Sequence, residues 1–539
     1  MSDYAFPSAP TPEELAKYDL NDLGNAMRLI RLIGGTIDDA DQVDARHVTL
    51  LFQLGAGWIG FNGRYWDRPY GEELARRSAH LVARKVGEIF PYLTARGVPA
   101  KDAMTWIKSC GSSGATASML RQAQSYLTVE IDVFDRDPLA LNCRNGTLKM
   151  RVVDGRLATV LKPHNPADRI TKMAAVDYDA SAGAPLFEDV ADKSFPDKAE
   201  LAYFHRTCGY GSTGIIREQA FFLNQGRGRD GKSTLLDAIR KTLGTYAEVG
   251  DVNTFLEGVQ GNAGGPSPDL VKLAGDVRFV VLSEPKRGAA WNEARLKAWT
   301  SGSPIMARDL NAKPFNFKPI GKLFIECNPF PKPRGDDDGF WRRIKPTLFR
   351  RQVPKEQVDQ ELPDRIAAAE LPGVLNWLLA GVGDWLTGGE DGKGGLRMPA
   401  SLEGVLDAYR KSSSPFGDWL DERCVWGDAA KGSQTSSTEL HGDYKTWSEA
   451  QGHDKPMSMR AFGDALSDRQ VLVVKRDSTG RKLRGPIRLK TAQELLDDAA
   501  AAPLRPPSGP DANGASPSAG GSSGAESAAF DADVEWPDD

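Results

Sequence analysis

The chain has 539 residues, 40% of them hydrophobic and 26% charged, a balance that fits a globular protein of about two to four domains. No apolar stretch approaches the roughly 18 residues of a membrane span, and the polar segment Met1 to Pro10 lacks the basic start and apolar run of a secretory signal. The five cysteines form no CxxC pair and the six histidines are scattered, which excludes a zinc framework or a disulfide scaffold and leaves isolated buried thiols in a cytoplasmic chain.

The net charge of −5 is unevenly spread. Residues 491–539 hold ten acids against one base, so the remainder carries a formal charge of +4. Composition divides the chain into an N-terminal α+β region (1–185), a central α/β region (186–390), a linker and small module (391–490) and a tail (491–539). The linker is marked by Thr387 to Gly395, TGGEDGKGG. In the N-terminal region Glu130, Asp132, Asp135 and Asp137 crowd a strand-and-turn segment without a nearby histidine. They read as a solvated turn rather than a metal site.

The central region carries the chemistry. Phe221, Phe222 and Leu223 form a short apolar run that predicts a buried strand. Gly226-Arg-Gly228-Arg-Asp-Gly231-Lys232-Ser233-Thr234 follows, and then Leu235, Leu236, Ile239 and Leu243 recur at helical spacing. Strand, glycine-rich loop and helix in this order form a phosphate loop. Its glycines let backbone N–H groups turn toward phosphate oxygens, and the helix N-terminus adds partial positive charge. Lys232 would reach the β and γ phosphates of ATP, and the Ser233 hydroxyl would hold Mg²⁺. Such a loop requires a carboxylate at the end of a nearby strand. Phe279 to Leu282 is an apolar run followed by Ser283 and Glu284, so Glu284 is the candidate second metal-site residue, without an acidic neighbour. A third run, Leu323 to Ile325, leads to Asn328, placed for the γ phosphate or the attacking water. Arg342 and Arg343, ahead of another apolar strand, either pair with the acids beside them or act as an arginine finger in a neighbouring subunit's site.

Residues 438–490 show helical patterns at Leu440 to Ala450 and Met459 to Leu466, then a strand–turn–strand whose turn carries Lys475, Arg476, Arg481 and Lys482. Two helices and a basic hairpin outline a winged-helix module for DNA. The Ala-, Ser-, Gly-, Pro- and Asp-rich tail reads as disordered.

Taken together, Ser283-Glu284-Pro285, Trp291 to Lys297, Ala307-Arg308, Lys313 to Pro319, Asn328 and Trp341-Arg342-Arg343 resemble the phage/plasmid primase–helicase family. These are superfamily 3 helicases of the AAA+ class, akin to the poxvirus helicase–primase. Leu23 to Arg28, Gly63 to Trp66, Asn145 to Leu148 and Lys162 to His164 are similar to the domain ahead of the helicase in that family. The resemblance implies an AAA+ P-loop ATPase core between an N-terminal α+β domain and a C-terminal winged helix. It implies a ring, a hexamer in this family, that hydrolyses ATP with Mg²⁺ and moves along single-stranded or forked DNA. Asn311-Ala-Lys313 resembles the tip of the central-channel hairpin, with Arg308 and Lys313 as DNA contacts. Full-length relatives often carry a primase domain further upstream. The match begins near residue 20, so primase chemistry is not expected within this sequence, and a separate primase is a candidate partner. An initiator or loader that remodels origin DNA without processive unwinding is the alternative use of the same ATPase.

Overall fold

The computed structural model describes residues 8–38, 42–257, 266–286, 289–310, 313–328, 330–331, 337–388, 392–412, 415–451 and 456–501. The chain divides into two compact units, residues 1–418 and 419–539.

The first unit opens with a helical layer on a small sheet. Helices Asp22–Leu32, Arg68–Lys85 and Ser113–Leu127 surround strands Trp66–Asp67, Gly57–Phe61, Leu50–Gln53 and Thr128–Val129, which pair in that order. Leu29, Ile30, Leu50, Leu51, Ala79 and Val82 form part of its own core. Three antiparallel strands follow, Ala140–Cys143, Gly146–Val153 and Arg156–Lys162.

The centre of the unit is one five-stranded sheet. Helix α1 (Lys198–Ser212) precedes strand β1 (Phe221–Gly226), and helix α2 (Lys232–Leu243) follows it. Strands β2 (Ala247–Gly250), β3 (Phe279–Leu282), β4 (Lys322–Cys327) and β5 (Ile344–Phe349) complete the sheet, and helix α3 (Leu371–Thr387) closes the region. The spatial order is β2-β3-β4-β1-β5, with every pair parallel. A parallel sheet covered on both faces needs apolar residues at successive positions, which is why the apolar runs read as strands. On one face Phe222, Phe279 and Phe324 pack with Leu235, Leu236 and Ile239 of α2 and with α1 and α3. The Phe279 and Phe324 rings stack at 3.9 Å between centroids. On the other face Leu223, Val280, Leu282 and Ile325 pack with Trp291 and Trp299. Full burial of each such side chain stabilises by roughly 1.5–3 kcal/mol.

The three-stranded meander is bolted to this sheet. Leu141, Leu148 and Met150 share the core on the α2 face. The Asn142 amide donates to the Tyr246 hydroxyl at 3.0 Å, and the Ala175 amide donates to the Thr242 carbonyl at the end of α2 at 3.0 Å. Residues 140–176 therefore pack as part of the core of the five-stranded sheet, although they precede the composition break near 185. Helices α1 and α3 cross where both are glycine. A Cβ on Gly209 would lie 2.3 Å from the Gly381 carbonyl carbon, so the backbones meet at a distance no side chain permits.

Three features differ from the sequence expectations. The glycine-rich stretch before residue 395 does not end the first unit. The Gly395 amide donates to the Trp385 carbonyl at 2.8 Å, Leu396 is buried in the core and Arg397 pairs with Asp384, so the chain doubles back onto α3 and the division falls after Asp418. Asp135 is not a solvated turn residue. Its carboxylate accepts from the Thr171 amide at 2.8 Å and hydroxyl at 2.6 Å, and burial, reinforced by Asp276, pushes its pKa up to about 6. The tail begins with a helix, Ala492–Ala501, rather than disorder. Thr491 and Glu494 cap each other's ends of its first turn, and alanine and leucine favour the helical state. Residues 502–539 lie outside the described residues. Among the described residues no single helix is long and apolar enough to cross a membrane.

The second unit contains helices Ser437–Ala450 and Met459–Asp468 and a three-stranded sheet in the order Thr435–Ser436, Lys482–Gly485, Leu472–Arg476. Trp419, Leu440, Tyr444, Phe462 and Leu466 are its buried centre. The Arg484 guanidinium is buried and donates to the Ser467 hydroxyl and the Val471 carbonyl, tying the hairpin to the second helix.

Gly209→Ala is expected to destabilise the first unit by roughly 1–3 kcal/mol through the forced separation of two helices. Thermal unfolding of the full chain measures it.

Candidate functional site

Parallel pairing brings the C-terminal ends of all five strands to one edge of the sheet, and the sequence-predicted loop stands there. Gly226 closes β1, and Gly228 (φ 82°) and Gly231 (φ 85°) adopt left-handed conformations that cost a residue with a side chain free energy. Asp230 braces the loop from beneath. Its carboxylate accepts from the Gly228 amide at 3.0 Å and the Lys232 amide at 3.2 Å, and lies 3.9 Å from the Lys232 ammonium. Gly226 is compelled by the same carboxylate, because a Cβ there would sit 1.9 Å from Asp230 Oδ2. Lys232 is the first residue of α2 and buried, whereas Ser233 is exposed and Thr234 half-buried. The exposed arginines Arg227 and Arg229 flank the loop, so its surroundings are cationic.

Two other strand ends converge on the loop. Asn328 is exposed just beyond β4, and its carbonyl accepts from the Gln225 side chain of β1 at 2.9 Å. Glu284 is exposed two residues beyond β3. The group that touches the loop is one the sequence reading passed over. Glu326, the fifth residue of β4, accepts a hydrogen bond from the Ser233 hydroxyl at 3.0 Å. Burial pushes its carboxyl up, with Asp230 and Glu284 adding to the rise, while Ser233 and Lys232 hold it down. Within Lys322-Leu-Phe-Ile-Glu-Cys, a charged residue inside an apolar run is the signal that could have found it.

The two arginines separate. Both stand at the N-terminal end of β5, beside Phe221, whereas Gly226 pairs with Phe349 at the other end. The five intervening steps put them roughly 16 Å from this chain's own loop. Arg343 is buried and fully engaged. It donates to the Thr300 hydroxyl at 3.0 Å, the Gln219 side chain at 3.3 Å and the Gly339 carbonyl. Arg342 is exposed and donates to Gln219 at 3.3 Å.

The hairpin strands Ile305–Ala307 and Phe315–Phe317 pair antiparallel. Lys313 is exposed beside it. Arg308 is half-buried, and its backbone exchanges two hydrogen bonds with Ser267. Asn311 and Ala312, expected at the hairpin tip, lie outside the described residues. In the second unit Lys475, Arg476, Arg481 and Lys482 are all exposed on the hairpin. The turn between them is organised by Asp477, whose carboxylate accepts from the Thr479 and Arg481 amides at 2.9 Å each.

Comparison with known proteins gives two family matches on this chain. The family model described as D5 N terminal like matches residues 40–196. A second, described only as a family of unknown function (DUF5906), matches residues 224–343, the span holding the loop, Glu284, Glu326, Asn328 and both arginines. The chain is 28% identical over 265 residues to "Putative helicase L207/L206" of Acanthamoeba polyphaga mimivirus, covering 47% of this chain and 27% of that protein. It is 30% identical over 158 residues to "Putative helicase 022R" of Frog virus 3 (isolate Goorha), covering 29% of this chain and 16% of that protein. The match thus spans about a quarter or less of these curated relatives. The solved A form apo structure of the NrS-1 C terminal region is a looser likeness, 13% identical with a TM-score of 0.34, over 65% of this chain and 99% of that chain.

Arg343→Ala is expected to lower stability by roughly 1–3 kcal/mol, because it strips partners from buried polar groups. Arg342→Ala is expected to stay within about 0.5 kcal/mol of the parent, and parallel thermal melts separate the two. Residues 40–196 match the D5 N terminal like family, and the chain is similar to viral proteins described as putative helicases.

Proposed function

We propose that this chain is the subunit of an ATP-dependent DNA helicase whose ATP site is completed by a neighbouring copy in a ring. The observation that carries the reading is the two-ended sheet. The phosphate loop and its carboxylates occupy one edge, and the exposed Arg342 occupies the other, roughly 16 Å away. An arginine so placed reaches a phosphate only across an interface, as a finger supplied in trans. A strand order of β2-β3-β4-β1-β5 with the loop after the fourth strand in that row supports an AAA+ core of the superfamily 3 type. A hexamer is the ring size expected from the family.

The residues fit a nucleotide and Mg²⁺. Positive-φ glycines let the backbone turn tightly ahead of α2, and a hydroxyl and a carboxylate from different elements lie 3.0 Å apart. Ser233 would hold Mg²⁺, which when bound would offset the charge that builds during phosphoryl transfer. Lys232 neutralises charge on the β and γ phosphates, and the start of α2 directs its N–H groups at them. Glu284, exposed at the end of β3, orients the attacking water, and Asn328 contacts that water or the γ phosphate. Arg342 from the next subunit stabilises the charge in the transition state.

DNA would be held by charge rather than by base identity. Lys313 and Arg308 on the hairpin face the strand in the channel. In the second unit the two helices and basic hairpin support a winged-helix module, with Lys475, Arg476, Arg481 and Lys482 on phosphates. That module or the acidic terminal segment is a docking point for a separate primase. The reading places the protein in the cytoplasm, that of a bacterial host if the gene belongs to a phage or plasmid.

Lys232→Ala is expected to abolish nucleotide binding, measured by fluorescence of a labelled ATP. Lys313→Ala is expected to keep that binding and to lose duplex separation on a forked DNA. Unwinding that survives the second change would remove the mechanical part of the proposal.

A further inference from the structure

The site as described lacks an acid where a phosphate-loop ATPase needs one. The loop hydroxyl and a strand-end carboxylate share the metal of the nucleotide, and the carboxylate must face the helix that follows the loop. Side chains alternate across a strand. On β3, Phe279 packs on the α2 side and Val280 and Leu282 on the opposite side. Continued past the strand end, that alternation assigns the α2 side to Ser283 and the opposite side to Glu284. The position that should carry the metal-facing acid is therefore a serine.

The neighbouring strand fills the gap. On β4 Phe324 packs on the α2 side and Leu323, Ile325 and Cys327 on the other, so Glu326 projects toward α2. The last paired residues of β3 and β4 are Leu282 and Ile325, which sets Glu326 beside Ser283, one strand closer to the loop. On its other flank Glu326 pairs with Asn224 of β1, two residues before Gly226. Its Oε1 lies 3.0 Å from Ser233 Oγ, the atom that a phosphate loop presents to Mg²⁺.

We propose that Glu326 is a metal-holding carboxylate of this ATPase, acting with Ser233 in the place that Ser283 leaves without an acid. The proposal rests on the nucleotide-site reading above. Mg²⁺ is held by one or two carboxylates together with phosphate oxygens and water, so one acid at this position suffices. Without metal, the serine hydroxyl donates to Glu326. With metal, Ser233 and Glu326 would hold the ion together, and the carboxylate would supply the negative charge that the site otherwise lacks. Glu284 stays available to orient the attacking water, so the two acids have separate tasks.

A structural brace on Ser233 would need only an acceptor, and an amide carbonyl supplies one. Glu326→Gln therefore separates charge from hydrogen bonding. The test measures binding of a fluorescent ATP to the full chain, first in EDTA and then across a Mg²⁺ titration. Glu326→Gln is expected to bind at least as tightly as the parent in EDTA, because the lost carboxylate would repel the phosphates, and its Mg²⁺ dependence is expected to shift to about 10- to 100-fold higher concentration. Adding Ser283→Asp to Glu326→Gln is expected to restore much of the lost Mg²⁺ affinity, because it returns a carboxylate to the α2 side of the adjacent strand. An unchanged Mg²⁺ titration in Glu326→Gln would overturn the proposal while leaving the nucleotide site intact. Failure of the unaltered chain to bind the nucleotide at all would overturn the nucleotide-site reading itself.

Discussion

Parallel pairing of β1 with β4 on one side and β5 on the other is the constraint on which the rest of the molecule depends. It aligns the C-terminal ends of the strands, so a loop, an asparagine and two carboxylates from three distant stretches of sequence meet at one edge. It also sends the start of β5, with Arg342 and Arg343, to the opposite edge. One geometric rule thus separates the groups proposed to hold a nucleotide from the arginine proposed to complete the site of another copy.

Several buried polar groups of the sheet have partners within it or beside it. Asn224, buried in the middle of β1, accepts from the Thr347 hydroxyl of β5 at 2.6 Å. At the far end of β4, Lys322 is buried, donates to the Thr213 carbonyl and lies over the Tyr210 ring. Burial and the nearby Arg278 cation hold its ammonium well below the usual lysine range. Arg278 forms a doubly hydrogen-bonded pair with Asp276, at 2.9 and 2.7 Å, and stacks over Tyr246. The same Tyr246 accepts from Asn142 of the meander. The D5 N terminal like region and the five-stranded sheet are therefore joined through buried hydrogen bonds as well as apolar packing. Helix α2, whose first turn holds Lys232 and Ser233, is fixed by this seam at its far end.

Much of this was legible in the sequence where the signal is local. The glycine-rich loop announces itself by glycines and a lysine at fixed spacing, and the strands by apolar runs that a two-sided sheet requires. The basic hairpin of the second unit follows from alternating residues around Asp477 and Gly480. Glu326 was not legible in that way. Its partner Ser233 is 93 residues away, and their meeting is set by which strands lie side by side. Arg342 and Arg343 are adjacent and chemically identical, and only packing assigns one to Thr300, Gln219 and Gly339 and the other to the surface. The glycine-rich stretch after α3 has linker composition, yet its backbone returns to hydrogen-bond that helix. Composition reports what a segment is able to do and not what lies beside it. Asp135 follows the same lesson, since its partner Thr171 is remote in sequence.

A site shared between copies is tested most directly by mixing two defective proteins, Lys232→Ala and Arg342→Ala, and measuring ATP hydrolysis on single-stranded DNA. Each alone should be inactive, one for want of a phosphate anchor and the other for want of a finger. In mixed rings an Arg342→Ala copy keeps its loop and meets the intact arginine of a Lys232→Ala neighbour. A random equal mixture should therefore recover up to about a quarter of the parent rate. No recovery in rings verified to contain both proteins, or full activity of Arg342→Ala by itself, would contradict a site built from two subunits.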